Sequence, residues 1–166
     1  NIQASDILYN GQFSSIDVTG SENTQFGSVI LRHLLKQIVD IKSNLKSSVP
    51  ILILIDEVHQ FYGDNSSQEA LSDLSTICRT GRSQKIAVMF ASQNPKDIPK
   101  GLESVINTKL YFRSDEASGI GSKYGLSTQD VYTLSPGYGF GSIYGLPGVK
   151  TFKFPLAKAG VIDRKD

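Results

Sequence analysis

The sequence contains few of the residues that build disulfide-bonded or metal-bound proteins. Among its 166 residues are one cysteine, Cys78, and two histidines, His33 and His59. A single thiol excludes a disulfide framework and any zinc or iron–sulfur site with several cysteines, and two histidines argue against a histidine-rich metal centre. A chain of this length can bury a sizeable core without such help. We therefore expect Cys78 to be a small core residue and His59 to be a positioning or loop residue.

The sequence also lacks an excess of either charge and any long apolar run. Its 17 Lys and Arg residues against 16 Asp and Glu residues give a formal net charge of +1, which argues against bulk electrostatic binding of nucleic acid. Apolar runs such as 51–55 are far too short to span a membrane, and no signal-peptide pattern is present, so we expect a cytoplasmic protein. No initiator methionine precedes Asn1, which predicts that the chain is a fragment.

Segments with helical spacing alternate with apolar runs that are typical of strands. Apolar residues recur three and four positions apart over 26–45 and again over 68–82, which predicts two amphipathic helices. Strands are predicted at 13–19, 51–55, 85–91 and 108–113, and short helices at 102–106 and 115–124, the last one closed by Gly125. This order predicts an α/β sheet, followed by a β-hairpin within 134–154.

Two acidic residues follow the most apolar strand. Asp56 and Glu57 come directly after the continuous run Ile51–Ile55, which is typical of a strand covered on both faces. A parallel sheet would place both carboxylates at its carboxyl edge, where ligands bind in such folds. The pattern resembles the Walker B element of P-loop ATPases, in which the first acid orients Mg²⁺ and the second polarises the attacking water. The alternative is a strand that simply ends in a polar turn.

Two further features flank the next predicted strand. Gln93 follows that strand, where a neutral amide can donate to a phosphate or to the attacking water without adding negative charge. Arg79 and Arg82 precede the strand, and the planar guanidinium suits phosphate oxygens. Taken singly, Gln93 could be an ordinary loop residue, and the arginines could be solvated side chains that close a helix.

Together these features resemble HerA-type ATPases, members of the HerA/FtsK group of DNA-pumping motors, which also includes conjugation and secretion ATPases. The likeness covers about residues 8–155, and the ordered series is more specific than any one motif. The matching segments are Ile16–Gly20, Asp56–Phe61, Arg79–Arg82, Phe90–Pro99, Ile106–Lys109 with Phe112 and Arg113, and Leu134–Gly141. The resemblance implies an α/β, RecA-like P-loop NTPase sheet, ATP and Mg²⁺ as cofactors, and a homo-hexamer that translocates double-stranded DNA, with a nuclease as a further partner.

The resemblance also implies roles for individual residues. Asp56 would serve Mg²⁺, Glu57 would be the catalytic base, and Gln93 would sense the γ-phosphate. Arg82 would match the arginine finger that reaches the nucleotide of a neighbouring subunit.

Arg79 and Arg113 are weaker candidates for the arginine finger, and Arg113 is also a candidate for binding the nucleotide. The family usually has Glu-Gly-Arg-Lys, or a close variant, where this chain has Arg79–Ser83, so the identity of the finger stays open. Asp56–His59 also spells a DExH box, but in DExH helicases the arginine motif lies on a second RecA-like domain. Here one loop and one helix separate the two motifs, so the spacing excludes that class.

The sequence lacks the phosphate loop of a P-loop ATPase. No segment matches Gly-x-x-x-x-Gly-Lys-Ser/Thr, and the glycine-rich Gly137–Gly141 has no lysine and precedes a strand. We therefore expect the loop and its strand to lie upstream of Asn1. Residues 1–155 would then be the C-terminal portion of a RecA-like ATPase domain, and residues 156–166 a C-terminal tail.

An incomplete sheet has consequences for the isolated chain. In RecA-like sheets the strand before the phosphate loop is central, so the resemblance implies that the missing strand would lie between 85–91 and 108–113, which leaves two exposed edges. We expect the chain to borrow a strand from another copy or to pair its strands in a nonstandard order, and to be inactive alone. Two alternative functions stay open: a conjugation, secretion or viral packaging ATPase of the same fold, and a non-catalytic assembly module that has lost nucleotide binding.

Overall fold

The computed structural model describes residues 3, 6, 8–17, 24–44, 48–61, 67–98, 100–114 and 117–155. The chain divides into two compact units, residues 1–106 and residues 107–166. The proposed tail at 156–166 lies outside the described residues. No helix in the described parts of the chain is long and apolar enough to cross a membrane.

The first unit contains two long helices and a pair of strands. In chain order its elements are α1 (Thr24–Asn44), β1 (Ile51–Ile55), a 3₁₀ helix (Val58–Phe61), α2 (Ser67–Gln84), β2 (Ile86–Phe90), a second 3₁₀ helix (Pro95–Asp97) and α3 (Lys100–Glu103). The two long helices and both strands agree with the sequence-based prediction to within two residues. The β-prone run at 13–19 does not form a strand in its described part, because residues 13–17 adopt no regular structure.

Strands β1 and β2 pair in parallel over five residues, from Ile51 opposite Ile86 to Ile55 opposite Phe90. One face of this sheet packs against α1 and α2. The buried side chains of that core are Leu35, Ile38, Ile55, Val58, Leu74, Ile77, Ile86 and Leu102. Cys78 is half-buried on α2, and burial raises the pKa of its thiol.

The opposite face of the two-stranded sheet is open. Successive side chains of a strand point to opposite faces. On the face away from the helices, Leu52 and Leu54 of β1 are 63% and 59% exposed, and Met89 of β2 is 52% exposed. The prediction that β1 is covered on both faces is therefore wrong for the described structure. The reason is geometric, since both long helices pack on the same face.

The second unit is built on an antiparallel sheet. Its elements are β3 (Lys109–Tyr111), α4 (Ala117–Lys123), α5 (Thr128–Tyr132), β4 (Tyr138–Ser142) and β5 (Lys150–Lys153), and the strand order is β3-β4-β5. The predicted C-terminal hairpin is confirmed as β4 and β5. Gly125 follows α4 with a φ of +70°, as expected for a residue that ends a helix.

Strand β3 pairs with β4 rather than with the parallel strands. The pairing is tight, because a Cβ at Gly141 would overlap the carbonyl oxygen of Lys109. Among the described residues the five strands thus form two separate sheets instead of one. The mixed α/β architecture with a partial parallel sheet is confirmed.

Candidate functional site

The two acidic residues occupy a constrained turn at the carboxyl end of β1. The amide of Ala91 donates to the carbonyl of Ile55 at 2.9 Å, and that of Val58 donates to the carbonyl of Ala91 at 3.3 Å. Val58 is fully buried, so it fixes the turn to the core. Between these anchors Glu57 has a φ of +47°, in the left-handed region that non-glycine residues rarely adopt.

The side chain of Asp56 stabilises this turn and is exposed to solvent. Its Oδ1 accepts a hydrogen bond from the amide of Glu57 at 3.0 Å. The carboxylate therefore lies at the sheet edge with its orientation partly fixed by the main chain.

Gln93 contacts the second acid directly. Its Nε2 donates to Oε1 of Glu57 at 2.9 Å, although the two residues are 36 positions apart in the sequence. The parallel pairing of β1 with β2 explains the contact, because residues that follow two paired parallel strands emerge at the same sheet edge. The structure thus brings together Asp56, Glu57 and Gln93, the three residues that the sequence placed at this edge.

Two residues add to this group. Nδ1 of His59 lies 3.3 Å from Oε2 of Glu57 and 3.8 Å from Oδ2 of Asp97. A sequence signal for His59 exists, because a buried Val58 between two polar residues places both polar side chains on the outer side of the turn. Asp97 has no such signal, since its place depends on the 3₁₀ helix that follows β2.

The candidate arginines do not join the carboxylates within the first unit. Arg79 and Arg82 are exposed near the C-terminus of α2, immediately before the amino end of β2, whereas Glu57 and Gln93 lie beyond the carboxyl ends of the strands. A five-residue strand separates these ends by about 15 Å. In the second unit, the guanidinium of Arg113 lies 5.5 Å from the centroid of the Tyr132 ring.

The donor set fits one side of a magnesium site. Magnesium prefers oxygen ligands and usually keeps several waters, with one or two carboxylates and the substrate phosphates completing its shell. Asp56 offers such a carboxylate. Within the described residues no group of three or more His, Cys, Asp or Glu side chains could hold a metal ion.

The fold and the sheet edge together define an α/β protein with a partial parallel sheet of the P-loop ATPase type. The sequence matches the family described as "ATPase family associated with various cellular activities (AAA)" over residues 4–114, more than half of the chain. The chain belongs to this AAA family.

The similar curated proteins are HerA helicases. The chain is 25% identical over 139 residues to the "DNA double-strand break repair helicase HerA" of Saccharolobus solfataricus, an alignment that covers 78% of this chain and 27% of that protein. It is also 25% identical over 125 residues to the protein of the same name from Sulfurisphaera tokodaii. That alignment covers 72% of this chain and 25% of that protein. The chain therefore spans about a quarter of the length of these relatives.

Two solved structures share the fold. The cytoplasmic domain of the type VII secretion ATPase EccC of Thermomonospora curvata superimposes with a TM-score of 0.52 at 21% identity, over 82% of this chain and 17% of that one. VirB4 of Thermoanaerobacter pseudethanolicus gives a TM-score of 0.56 at 15% identity, and the superposition covers 86% of this chain and 40% of VirB4. At these identities the likeness concerns the fold alone.

Proposed function

We propose that this chain carries the hydrolysis half of an ATPase site in a HerA-type, ring-forming translocase of double-stranded DNA. One observation carries the proposal: Glu57 and Gln93 are hydrogen-bonded at the carboxyl edge of a parallel sheet, next to Asp56. Relatedness to HerA helicases supports the choice of substrate. In this proposal residues 1–155 are the C-terminal portion of the ATPase domain, 156–166 are its tail, and the protein is cytoplasmic.

In this proposal three side chains have separate roles. Bound Mg·ATP would supply the phosphoryl group and the cation that neutralises its charge. Asp56 would hold the water shell of that cation. Glu57 accepts a proton from the attacking water and orients it, because a partly buried carboxylate beside an amide donor can act as a general base. Gln93, already a donor to Glu57, is placed to respond to the γ-phosphate.

The arginines act from another subunit in this proposal. Arg82 is exposed at the opposite end of the sheet from Glu57, so it serves a neighbouring site in a hexamer and not its own. Arg79 is the second candidate for this function, and Arg113 is a further candidate for contact with the nucleotide. A nuclease is proposed as an additional partner of the assembly.

The test is the ATPase activity of the longer protein that combines this chain with a phosphate loop. We expect double-stranded DNA to stimulate hydrolysis and Glu57→Gln to lower kcat by about a hundredfold or more, because it removes the base. Glu103→Gln, which neutralises an exposed glutamate on α3, is the matched control and should retain full activity. Hydrolysis that survives Glu57→Gln would contradict the assignment.

A second candidate is a secretion ATPase of the same fold, since EccC, a type VII secretion ATPase, shares this fold. The same assay separates the two candidates, since a secretion ATPase would hydrolyse ATP in a Glu57-dependent manner without stimulation by DNA. If the chain belongs to a non-catalytic assembly module, neither the unmodified longer protein nor its Glu57→Gln variant would hydrolyse ATP. The isolated chain, whose sequence has no phosphate loop, should show none under any condition.

A further inference from the structure

One ring nitrogen of His59 lies close to two carboxylates that come from different segments. Glu57 Oε2 is 3.3 Å from its Nδ1, and Asp97 Oδ2 is 3.8 Å from the same atom. We propose that His59 is a positioning residue for Glu57, and this inference rests on the proposed ATPase function. In this arrangement Glu57 and Asp97 both face Nδ1 of His59, which we call the His59 bridge, and the imidazole sets the direction in which the carboxylate of Glu57 faces.

Asp97 is a fixed partner because its own segment is stiff. The amide of Asp97 donates to the carbonyl of Asn94 at 3.0 Å, and Oδ1 of Asn94 accepts from the amide of Lys96 at 2.9 Å. The hydroxyl of Ser92 donates to the same Asn94 carbonyl at 3.1 Å. These bonds hold the 3₁₀ helix at the end of β2, so the position of Asp97 follows that of the strand.

The segment after β2 therefore holds Glu57 from two directions. Gln93 contacts Oε1 directly, and Asp97 contacts Oε2 through His59. A glutamate side chain has several rotatable bonds, and a general base must lie within hydrogen-bond reach of the proton that it accepts. Two contacts on separate oxygens restrict the carboxylate to few orientations, which is the requirement for a pre-organised base.

The expected effect is on rate and not on stability. The side chains of His59, Glu57 and Asp97 are 41%, 26% and 34% exposed, and ion pairs with this exposure contribute little to folding. Neither His59 nor Asp97 is assigned a contact with the nucleotide. Loss of the bridge should therefore lower kcat while KM for ATP and the melting temperature stay the same.

The first experiment measures ATPase kinetics of the longer protein. His59→Phe keeps a planar ring without nitrogen and should lower kcat roughly tenfold, as expected when a catalytic group is misplaced. His59→Asn places an amide donor near the position of Nδ1 and should restore most of the rate.

A double variant tests whether His59 acts through Glu57. In a Glu57→Gln background the His59→Phe change should cause no further loss of kcat, because both substitutions act through the same carboxylate. A wild-type kcat in His59→Phe, a change in KM alone, or additive losses would overturn the proposal.

The second experiment tests the contact itself in the present chain, which separates the bridge from the function. The sequence has only two histidines, so ¹⁵N-histidine labelling gives two ring spin systems, and His33 serves as the internal control. Glu57→Gln and Asp97→Asn should each move the Nδ1 resonance of His59 and leave that of His33 in place. Movement of the His59 resonance together with no ATPase activity in the longer protein would overturn the function and retain the contact. An unmoved resonance would overturn the bridge whatever the activity.

Discussion

Glu57 combines a strained backbone with the side chain that carries the proposed chemistry. A φ of +47° is costly for any residue with a Cβ, of the order of 1–2 kcal/mol. The conformation persists because the residues on either side are fixed: the carbonyl of Ile55 accepts from Ala91, and Val58 is buried in the core. The strain is thus supported by packing, and its result is a glutamate side chain beside Gln93.

The strained backbone at Glu57 predicts that a glycine variant is more stable than an alanine variant, which is the reverse of the usual order. Glu57→Gly and Glu57→Ala both remove the contacts with Gln93 and His59, but only Gly also removes the Cβ. We expect the Gly variant to be more stable than the Ala variant by about 1 kcal/mol in urea unfolding, because Gly adopts positive φ without steric cost.

The control is the same pair of substitutions at a site with ordinary φ. Ser104→Gly and Ser104→Ala both remove the hydrogen bond from the Ser104 hydroxyl to the carbonyl of Gly101, and Ser104 is not among the residues with positive φ. Here Ala should be at least as stable as Gly. If Ala were also the more stable substitution at position 57, the backbone there would not be strained in solution.

At the scale of elements, Gly81 sets the distance between α2 and β2. A Cβ on Gly81 would lie 2.7 Å from the carbonyl oxygen of Ile86, which is backbone and cannot move aside. This glycine lies between the two candidate arginines, in the segment Arg79–Arg82 that resembles a catalytic motif. Part of that motif therefore serves packing, whatever its arginines do.

This close approach predicts that Gly81→Ala destabilises the first unit by about 1–3 kcal/mol, the usual cost of an overpacked core. Gly119→Ala in α4 is the matched control: a Cβ there meets nothing within 4 Å, so the change should be neutral or slightly stabilising. Hydrogen exchange of the α2 and α4 peptides measures each unit separately. Unchanged protection of α2 in Gly81→Ala would show that the helix can shift outward at no cost.

The elements that the sequence predicted well are those with a strong local signal. The apolar spacing of α1 and the continuous run of β1 were sufficient to place both elements, and the hairpin followed from its turns. Helix α5 was missed because it is short and carries one buried residue, Val131. Its signal was a capping box, in which Ser127 and Asp130 bond reciprocally and lower the pKa of the Asp130 carboxyl.

The site was predicted to a similar extent. Asp56, Glu57 and Gln93 could be placed at one edge because parallel strands align their carboxyl ends. The contact between His59 and Asp97 could not, since it depends on two turns whose geometry is set by tertiary packing. The open face of β1 could not be predicted from the sequence either. An apolar run shows how much surface prefers burial, but it does not show which segment covers that surface.

At the scale of the whole molecule, the open face of the parallel sheet is the largest departure from expectation. Leu54 lies opposite Met89 in the register, and each exposes more than half of its surface. Their neighbour Leu52 extends the apolar strip along β1. Two-stranded sheets are marginal by themselves, and contiguous apolar surface promotes association.

We therefore predict that the isolated chain self-associates through this face. The double substitution Leu54→Thr with Met89→Thr should reduce the bound fluorescence of an apolar dye several-fold and shift the chain toward monomer in light scattering, because threonine keeps strand propensity while removing apolar surface. The melting temperature should change little, since both side chains are exposed. Val88→Thr, on the core-facing side of β2, is the control and should destabilise the fold by about 1 kcal/mol, because it places a hydroxyl at a partly buried position against the core. If the double variant associates as strongly as the unmodified chain, another surface, such as the free strand edges, is responsible for the association. The open face would then not be a binding surface of this chain.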